Sequence, residues 1–343
     1  MNERPSILDL TRPALAEKLK SWGEPGYRAT QIWQSLYRQM ASSAESITGL
    51  PKSLRARLDD QFVFRSLAVR AEARSRDGQT VKVAMGRPGD ERAVEAVRMG
   101  YAHRSTLCIS TQAGCAMGCT FCATGQMGFS RNLSVGEIVE QVLHFAAGER
   151  VSNIVFMGMG EPFHNYEATL EAIDRLNDPQ GMAFGARRMT LSTVGLVPQI
   201  ERFTLERRQV NLAVSLHAAT DDLRDQLVPI NRKYPLDVLL QACRAYVQHT
   251  GRRISFEWAL IRDVNDGGDQ ARALAARIRG MNCHVNLIPL NPTAGYSGEA
   301  TPRERAAAFR HSLVSQGIPC TVRVRRGLDI DAGCGQLATR SQS

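Results

Sequence analysis

Three cysteines with close and regular spacing are the clearest sign of chemistry in this sequence. Cys115, Cys119 and Cys122 form the pattern C-x3-C-x2-C. Thiolates bind zinc and iron–sulfur clusters, but structural zinc usually takes four ligands, commonly from two C-x2-C pairs. Three cysteines on a four-iron cluster leave one iron open to a small molecule. The pattern therefore favours a catalytic iron–sulfur site, with zinc and unliganded thiols as the alternatives that the residues leave open.

Polar residues and glycines also follow several apolar, strand-like segments. Glycine lets a ligand approach the backbone closely, and a carboxylate can accept hydrogen bonds from an ammonium group. Taken singly, such residues are common in turns, and a lone histidine is more often structural than a ligand. The residues of interest are Gly160, Glu161, Ser192, Asn291 and the segment of Ser215, Leu216 and His217, in which only Leu216 is apolar.

Two further cysteines and one glutamate are also candidates. Cys334 lies between two glycines, which indicates a tight and accessible loop, and Cys108 lies seven residues before Cys115. Free cysteines are usually small buried hydrophobic residues, and Glu95 alone is most simply an outward-facing strand residue. The other cysteines have no motif around them and are interpreted as structural: Cys243, Cys283 and Cys320.

The elements that must position these residues can be predicted from periodicity. Residues 1–62 have apolar residues at helical spacing, which predicts a small helical domain. Residues 63–104 alternate between apolar and polar, which predicts a short β extension with turns at Asp77-Gly78 and Pro88-Gly89. From residue 105 to 343, strand and helix patterns alternate about six times, with a last strand near Thr321–Arg326. This alternation is typical of an α/β fold with parallel strands, either a barrel or an open sheet.

The cysteine pattern directly after a strand resembles the signature of radical S-adenosylmethionine (SAM) enzymes. Longer segments resemble one family of them, the RlmN/Cfr RNA adenine methyltransferases, and closest to the RlmN type, dual-specificity 23S rRNA and tRNA adenine-C2 methyltransferases. The resemblance covers nearly the whole chain. The segments that carry it are 106–115 (TLCISTQAGC), 156–162 (FMGMGEP), 191–195 (LSTVG), 214–217 (VSLH), 286–292 (NLIPLNP) and 329–337 (DIDAGCGQL).

The resemblance implies a partial (β/α)6 radical SAM barrel and a role for each candidate residue. Cys115, Cys119 and Cys122 would hold a [4Fe–4S] cluster. The SAM contacts would be Gly160, Glu161, Ser192, Ser215, Leu216, His217 and Asn291. Every motif also lies at or just after the carboxyl end of a predicted strand, the face where ligands gather in βα barrels.

The resemblance also implies an unusual reaction sequence with two SAM molecules per turnover. One SAM methylates Cys334, and the second gives a 5′-deoxyadenosyl radical that removes hydrogen from this methyl group. The resulting carbon radical adds to adenine, Glu95 accepts the ring proton, and a transient Cys108–Cys334 disulfide releases the product. An external electron donor then restores the thiols. The physical reason for a radical is that the electron-poor purine carbon cannot attack a methyl cation donor.

The implied substrates are 23S rRNA and some tRNAs. The nearest alternative is Cfr-type methylation at C8, which confers antibiotic resistance; Ala113 and the segment 290–296 resemble the C2-methylating members more closely. Two alternatives lie outside the family: a zinc-containing RNA-binding protein without catalysis, and a radical SAM enzyme that acts on proteins or small molecules.

Composition supports an anionic partner and a cytoplasmic location. The 343 residues include 43 Lys+Arg and 34 Asp+Glu, a net charge of +9. Residues 1–104 contribute +6 of this surplus (18 basic and 12 acidic residues), so the helical domain is the expected RNA-docking part. No apolar run has the length of a membrane span, and the first 20 residues lack a secretory signal. We therefore expect a cytoplasmic monomer without membrane contact.

Overall fold

The chain begins with a helical unit, as predicted. The structure is a computed structural model that describes residues 4–338. After a 3₁₀ turn at Ile7–Asp9, the helices are α1 (Arg12–Ser21), α2 (Tyr27–Tyr37) and α3 (Lys52–Gln61). Thr11 caps α1 because its side chain accepts a hydrogen bond from the N–H of Ala14 (3.1 Å). A Gly-Glu-Pro-Gly turn at 23–26 separates α1 from α2, and its first glycine has φ +78°.

Three antiparallel strands follow and lead directly into the main sheet. They are β1 (Ala68–Arg74), β2 (Thr80–Gly86) and β3 (Val94–Tyr101), and β3 pairs antiparallel with β4 (Arg104–Cys108). The strands predicted between residues 63 and 104 are therefore confirmed. They form one edge of a ten-stranded sheet that is continuous with the parallel strands.

The rest of the chain alternates between strands and helices. The elements in chain order are β5 (Gln112–Gly114), α4 (Ala123–Gln126), β6 (Phe129–Asn132), α5 (Val135–Ala146), β7 (Asn153–Phe156), α6 (Tyr166–Asn177), β8 (Met189–Thr193), α7 (Val197–Glu206), β9 (Asn211–Ser215), α8 (Asp221–Leu227), α9 (Leu236–Thr250), β10 (Ile254–Leu260), α10 (Gly268–Ile278), β11 (Cys283–Pro289), α11 (Arg303–Val314) and β12 (Cys320–Val322). The sheet order is β1-β2-β3-β4-β7-β8-β9-β10-β11-β12. All pairings from β4 to β12 are parallel, which confirms the predicted α/β class.

Helices α7 and α8 and the β5–β6 hairpin were not predicted. Pro198 lies in the first turn of α7, where a missing backbone N–H costs no intrahelical hydrogen bond. The hairpin strands have only three and four residues, too few to show a period. Helix α5 begins with a capping box that Ser134 and Glu137 form.

The helical unit is attached to the sheet domain by buried polar contacts. The Arg175 guanidinium donates to the backbone carbonyls of Leu8, Asp9 and Leu10. A carboxylate oxygen of Asp9 accepts from the N–H of Gly136 (2.7 Å) in the first turn of α5. This charge-assisted network holds the N-terminal helices in one orientation relative to the barrel. In the described part of the chain no helix is long and apolar enough to span a membrane.

Candidate functional site

The three motif cysteines lie in a loop that a tight hairpin holds at the mouth of the barrel. Cys115 follows β5 directly, and its N–H donates to the carbonyl of Gly128 (3.1 Å), beside β6. Gly114 has φ +76°, and a Cβ there would lie 1.9 Å from the same carbonyl oxygen. Only glycine fits this crossing of two backbones, so the residue before the first cysteine is determined by the fold.

Replacement of Gly114 by alanine is expected to destabilise this hairpin strongly. The added methyl group would force the two backbones apart in addition to the cost of a positive φ, together about 3 kcal/mol or more. The matched control is Gly251→Ala: this residue has φ +67° but no atom within 4 Å of the added Cβ, so we expect a loss of about 1 kcal/mol. Denaturant unfolding of both variants measures the difference, and equal losses would contradict the steric explanation.

The cysteine thiols are close neighbours in a low-dielectric environment. Cys119 is buried, and Cys115 and Cys122 are half-buried. Burial raises the pKa of Cys115 to about 12 and that of Cys119 well above its ordinary value, and the neighbouring thiols raise the latter further. Within residues 4–338, no group of three or more His, Cys, Asp or Glu side chains has the arrangement that holds a metal ion. Thiolates here need a cationic partner, and an iron–sulfur cluster supplies one.

A central cavity joins this loop to the carboxyl ends of five parallel strands. Its empty space, including the part open to solvent, is about 890 Å³. For the ends of β7 to β11 to line one cavity, the sheet must curve, which agrees with a partial barrel. Of the candidate residues, those that line it are Cys119, Cys122, Gly160, Glu161, Ser192, Ser215, His217, Asn291 and Cys334. Leu216 does not: it is fully buried in the core, and its carbonyl accepts from Arg224 (3.0 Å).

Glu161 is a buried carboxylate that is held by backbone groups. Its two oxygens accept from the N–H groups of Phe163 (2.9 Å) and Val194 (2.8 Å). In the described residues no basic side chain forms an ion pair with it, and burial raises its pKa to about 7. An ammonium group in the cavity would stabilise its ionised form, so Glu161 fits the amino-acid end of SAM.

His217 is held in one neutral tautomer. Its Nδ1 accepts a hydrogen bond from the backbone N–H of Ala259 (2.9 Å), so the ring proton must be on Nε2. Burial and the nearby Arg224 lower its pKa to about 3, so the ring stays neutral at working pH. The residue also has φ +62°, an uncommon conformation outside glycine. A fixed donor on the cavity wall can orient a ligand.

Cys108 and Cys334 share a second cavity, here called the thiol cavity. It is lined by both cysteines with Met157, Asn291 and Arg323, among others. Each thiol is affected by its surroundings: burial raises the pKa of Cys108 to about 12, with a further contribution from Cys334. Burial raises the pKa of Cys334 to about 11, although part of its surface is exposed, and Arg323 opposes both shifts. The two cysteines are thus neighbours, although they are 226 positions apart in the sequence.

Glu95 is buried but faces a different space, here called the carboxylate cleft. This cleft is also lined by Lys82, Gln126, Asp331 and Ala338. One oxygen of Glu95 pairs with Lys82 (3.2 Å), and the other accepts from the N–H of Ala338 (3.0 Å). Burial raises its pKa and Lys82 opposes the shift. The structure therefore places Glu95 next to the C-terminal segment and not in the central cavity.

The C-terminal segment 333–338 lies between these spaces. Its backbone is bonded to the cysteine loop: the N–H of Ala123 donates to the carbonyl of Gly335 (2.8 Å), and the Thr124 hydroxyl donates to that of Leu337 (2.6 Å). Asn291 donates to the carbonyl of Cys334 (3.0 Å). Cys334 is thus held against the cysteine loop, while Leu337 and Ala338 separate the central cavity from Glu95.

Two buried charged residues near the cavity were not predicted. Glu257 lies on β10, lines the central cavity and accepts from Asn286 (2.8 Å); a glutamate inside the apolar run of residues 254–260 was the available signal. Arg224 is fully buried and donates to the carbonyls at the ends of β8 and β9. Arg224 lies in a mixed polar segment, where nothing in the sequence distinguishes it.

Comparison with known proteins agrees with this arrangement. Residues 109–274 match the radical SAM superfamily, and residues 6–64 match the ribosomal RNA large subunit methyltransferase N-terminal domain. The dual-specificity RNA methyltransferase RlmN 1 of Myxococcus xanthus is 51% identical over 337 residues, covering 97% of this chain and 94% of that protein. The probable dual-specificity RNA methyltransferase RlmN of Chloroflexus aurantiacus is 48% identical over 355 residues, with 98% and 94% covered.

A solved structure extends the likeness to three dimensions. The crystal structure of a radical SAM methyltransferase from Sphaerobacter thermophilus is 50% identical and superimposes with a TM-score of 0.94, covering 97% of this chain and 99% of that one. The identity, the coverage and the curved sheet around a three-cysteine loop point to one conclusion. The chain belongs to the RlmN family of radical SAM RNA methyltransferases, whose members use SAM and a [4Fe–4S] cluster.

Proposed function

We propose that this enzyme methylates C2 of an adenine in 23S rRNA, and of adenine in some tRNAs, through a methyl group carried on Cys334. The observation that supports this most directly is the convergence of the cysteine loop, Glu161 and Cys334 on one cavity. A redox cofactor, a cation-binding carboxylate and a nucleophilic thiol are the parts that such a reaction needs.

The donor set fits the cofactors of the family. Cys115, Cys119 and Cys122 would hold the cluster, and three thiolates leave one iron for a ligand. Gly160, Glu161, Ser192, Ser215, His217 and Asn291 would hold SAM, and Leu216 would support them from the core. When bound, the cluster supplies an electron, and SAM supplies the methyl group and, in a second molecule, a deoxyadenosyl radical.

The two cysteines of the thiol cavity would handle the methyl group and its release. The Cys334 sulfur accepts the methyl group and loses its thiol proton. Cys108 would pair with Cys334 in the last step; this is supported by the cavity that both cysteines line and by the contribution of Cys334 to the raised pKa of Cys108. In this step the Cys108 thiol would attack the Cys334 sulfur, the bond from that sulfur to the transferred carbon would break, and the carbon would leave with the bonding electron pair and take up a proton. An external donor would then supply two electrons and two protons to restore the thiols.

Glu95 would accept the proton from the adenine ring. It is buried, and its ion pair with Lys82 favours the ionised form that a base needs. For an adenine to reach it, the segment 337–338 has to move away from the carboxylate cleft. We infer that this movement accompanies RNA binding.

The helical domain, residues 1–62, would bind the RNA. Residues 63–104 would form a β extension to the barrel of residues 105–343. Lys18 and Arg57 both lie over the ring of Trp22, at 5.8 and 4.5 Å from its centre. A cationic surface with an aromatic ring suits phosphate and base contacts. A monomer presents this surface to a folded RNA in the cytoplasm.

Mass spectrometry of RNA tests the proposal and its nearest alternative. The gene is expressed in a strain that lacks its own adenine-C2 methyltransferase, and rRNA and tRNA nucleosides are analysed. We expect 2-methyladenosine in both. Finding 8-methyladenosine instead would show Cfr-type activity and reject the proposed position.

Replacement of Glu161 by glutamine is expected to weaken SAM binding by about 10- to 100-fold at pH 8, because a charged hydrogen bond to the ammonium group is lost. The parent protein should also bind SAM more weakly as the pH falls. Because its pKa is raised to about 7, Glu161 is mostly protonated below pH 7, and this proton must leave before a cation binds. The affinity for SAM should therefore fall by up to about tenfold for each pH unit below 7. Calorimetric titration of both proteins from pH 6 to pH 8 measures this, and an equal pH dependence in the variant would contradict it.

A further inference from the structure

Lys82 differs from every other lysine in the chain. The protein has five lysines among 43 basic residues. Four of them, Lys18, Lys20, Lys52 and Lys233, are exposed. The side chain of Lys82 is only 15% exposed. A buried ammonium group is costly unless it is paired, so its position calls for an explanation.

The strand register sets Lys82 beside Glu95. Strands β2 and β3 pair Lys82 with Val97 and Ala84 with Glu95, so Lys82 and Glu95 are diagonal neighbours on one face. The Lys82 Nζ is 3.2 Å from Oε1 of Glu95 and donates to the carbonyl of Asp331 (3.2 Å). Lys82 therefore links the carboxylate to the loop that contains Cys334.

The other groups around Glu95 define what Lys82 contributes. From β1, Glu72 lines the same cleft, and from the C-terminal loop Asp331 also faces it. Burial and Asp331 raise the pKa of Glu95, whereas Lys82 and the N–H of Ala338 lower it. Because Ala338 must leave when a base enters, Lys82 is then the remaining group that favours the carboxylate.

We propose that Lys82 is a positioning residue for the methylation reaction, which keeps Glu95 ionised and directed into the carboxylate cleft until it accepts the ring proton. The inference rests on the role of Glu95 in the proposed function. An ammonium group at 3.2 Å stabilises a carboxylate, and its second hydrogen bond, to the Asp331 carbonyl, favours the side-chain position beside Glu95. Lysine suits the site because its compact charge fits beside one oxygen.

The test compares Lys82→Gln and Lys82→Arg in the full-length enzyme carrying its cluster. Single-turnover RNA methylation is measured from pH 6 to pH 9. For Lys82→Gln we expect the acidic limb of the profile to move up by about 1–3 pH units, with a loss of tenfold or more at low pH that recovers as the pH rises. Lys82→Arg should keep the limb near its original position. An unchanged profile in Lys82→Gln, or an equal loss at every pH, would overturn the inference.

Two controls separate this inference from the proposed function. Methylation of Cys334, followed by intact-protein mass spectrometry, does not use Glu95 and should be unchanged in Lys82→Gln; its loss would indicate misfolding and overturn the inference. Lys233→Gln removes an exposed charge and should keep the parent pH profile.

If Glu95→Gln still methylates RNA, the proposed role of Glu95 fails. If Glu95→Gln is inactive while Lys82→Gln keeps the parent profile, only the inference about Lys82 fails.

Discussion

Replacement of Cys334 by serine is expected to abolish RNA methylation, by about 10³-fold or more, because the hydroxyl oxygen is a far weaker nucleophile than sulfur. Cys334 lines both the central cavity and the thiol cavity, and its loop is bonded to the cysteine loop. The variant should therefore fold normally but carry no methyl group. Intact-protein mass spectrometry measures the methyl group, and RNA nucleoside analysis measures the product.

A matched control is available at Cys320. This cysteine is buried on β12, lines neither cavity and has no motif around it. Cys320→Ala should lose some stability, about 1 kcal/mol, and keep RNA methylation. If Cys334→Ser transfers methyl groups to RNA at the parent rate, the methyl group does not pass through Cys334 and the proposed reaction sequence is wrong.

The second large effect is expected from Cys119→Ala, the most deeply buried of the three motif cysteines. Two remaining thiols cannot hold a [4Fe–4S] cluster at a site with no fourth cysteine in the loop. We expect a protein that is colourless when purified without oxygen, without the broad absorption near 400 nm, and that leaves SAM uncleaved. The parent protein should be brown and should cleave SAM under reducing conditions.

Cys243→Ala is the control for this experiment. Cys243 is also buried, more deeply than Cys119, but it lies in α9, outside the loop. Its replacement should leave iron content and colour unchanged. A colourless parent protein with bound zinc, or a brown Cys119→Ala variant with full iron content, would disprove the assignment of the cluster to this loop.

Much of the site could be predicted from local features of the sequence. The spacing of the three cysteines limits the ligand chemistry, because a short loop can bring only near neighbours to one metal centre. The strand–helix alternation predicts a parallel sheet, and connections in such sheets are short and right-handed. Since parallel strands end at the same edge, motifs as distant as Gly160 and Asn291 could be placed on one cavity without a structure.

Other assignments depended on contacts between distant segments. The sequence motif 214–217 predicted Leu216 among the SAM contacts, but Leu216 directly follows the last residue of β9 and is fully buried in the core. Arg224 had no local signal because its partners are backbone carbonyls at the ends of β8 and β9. An alternating pattern shows which residues share a face but not what covers that face.

The sequence by itself therefore determined the fold class, and it predicted the three cysteines proposed as cluster ligands and the edge of the sheet where the other candidate residues gather. These follow from short-range spacing and from the geometry common to all parallel sheets. Only the tertiary structure decided that Glu95 lies in its own cleft, paired with Lys82 and covered by Ala338. The reason is that the path of the C-terminal segment depends on many weak contacts with residues distant in the sequence. A local sequence pattern does not predict the combined effect of such contacts.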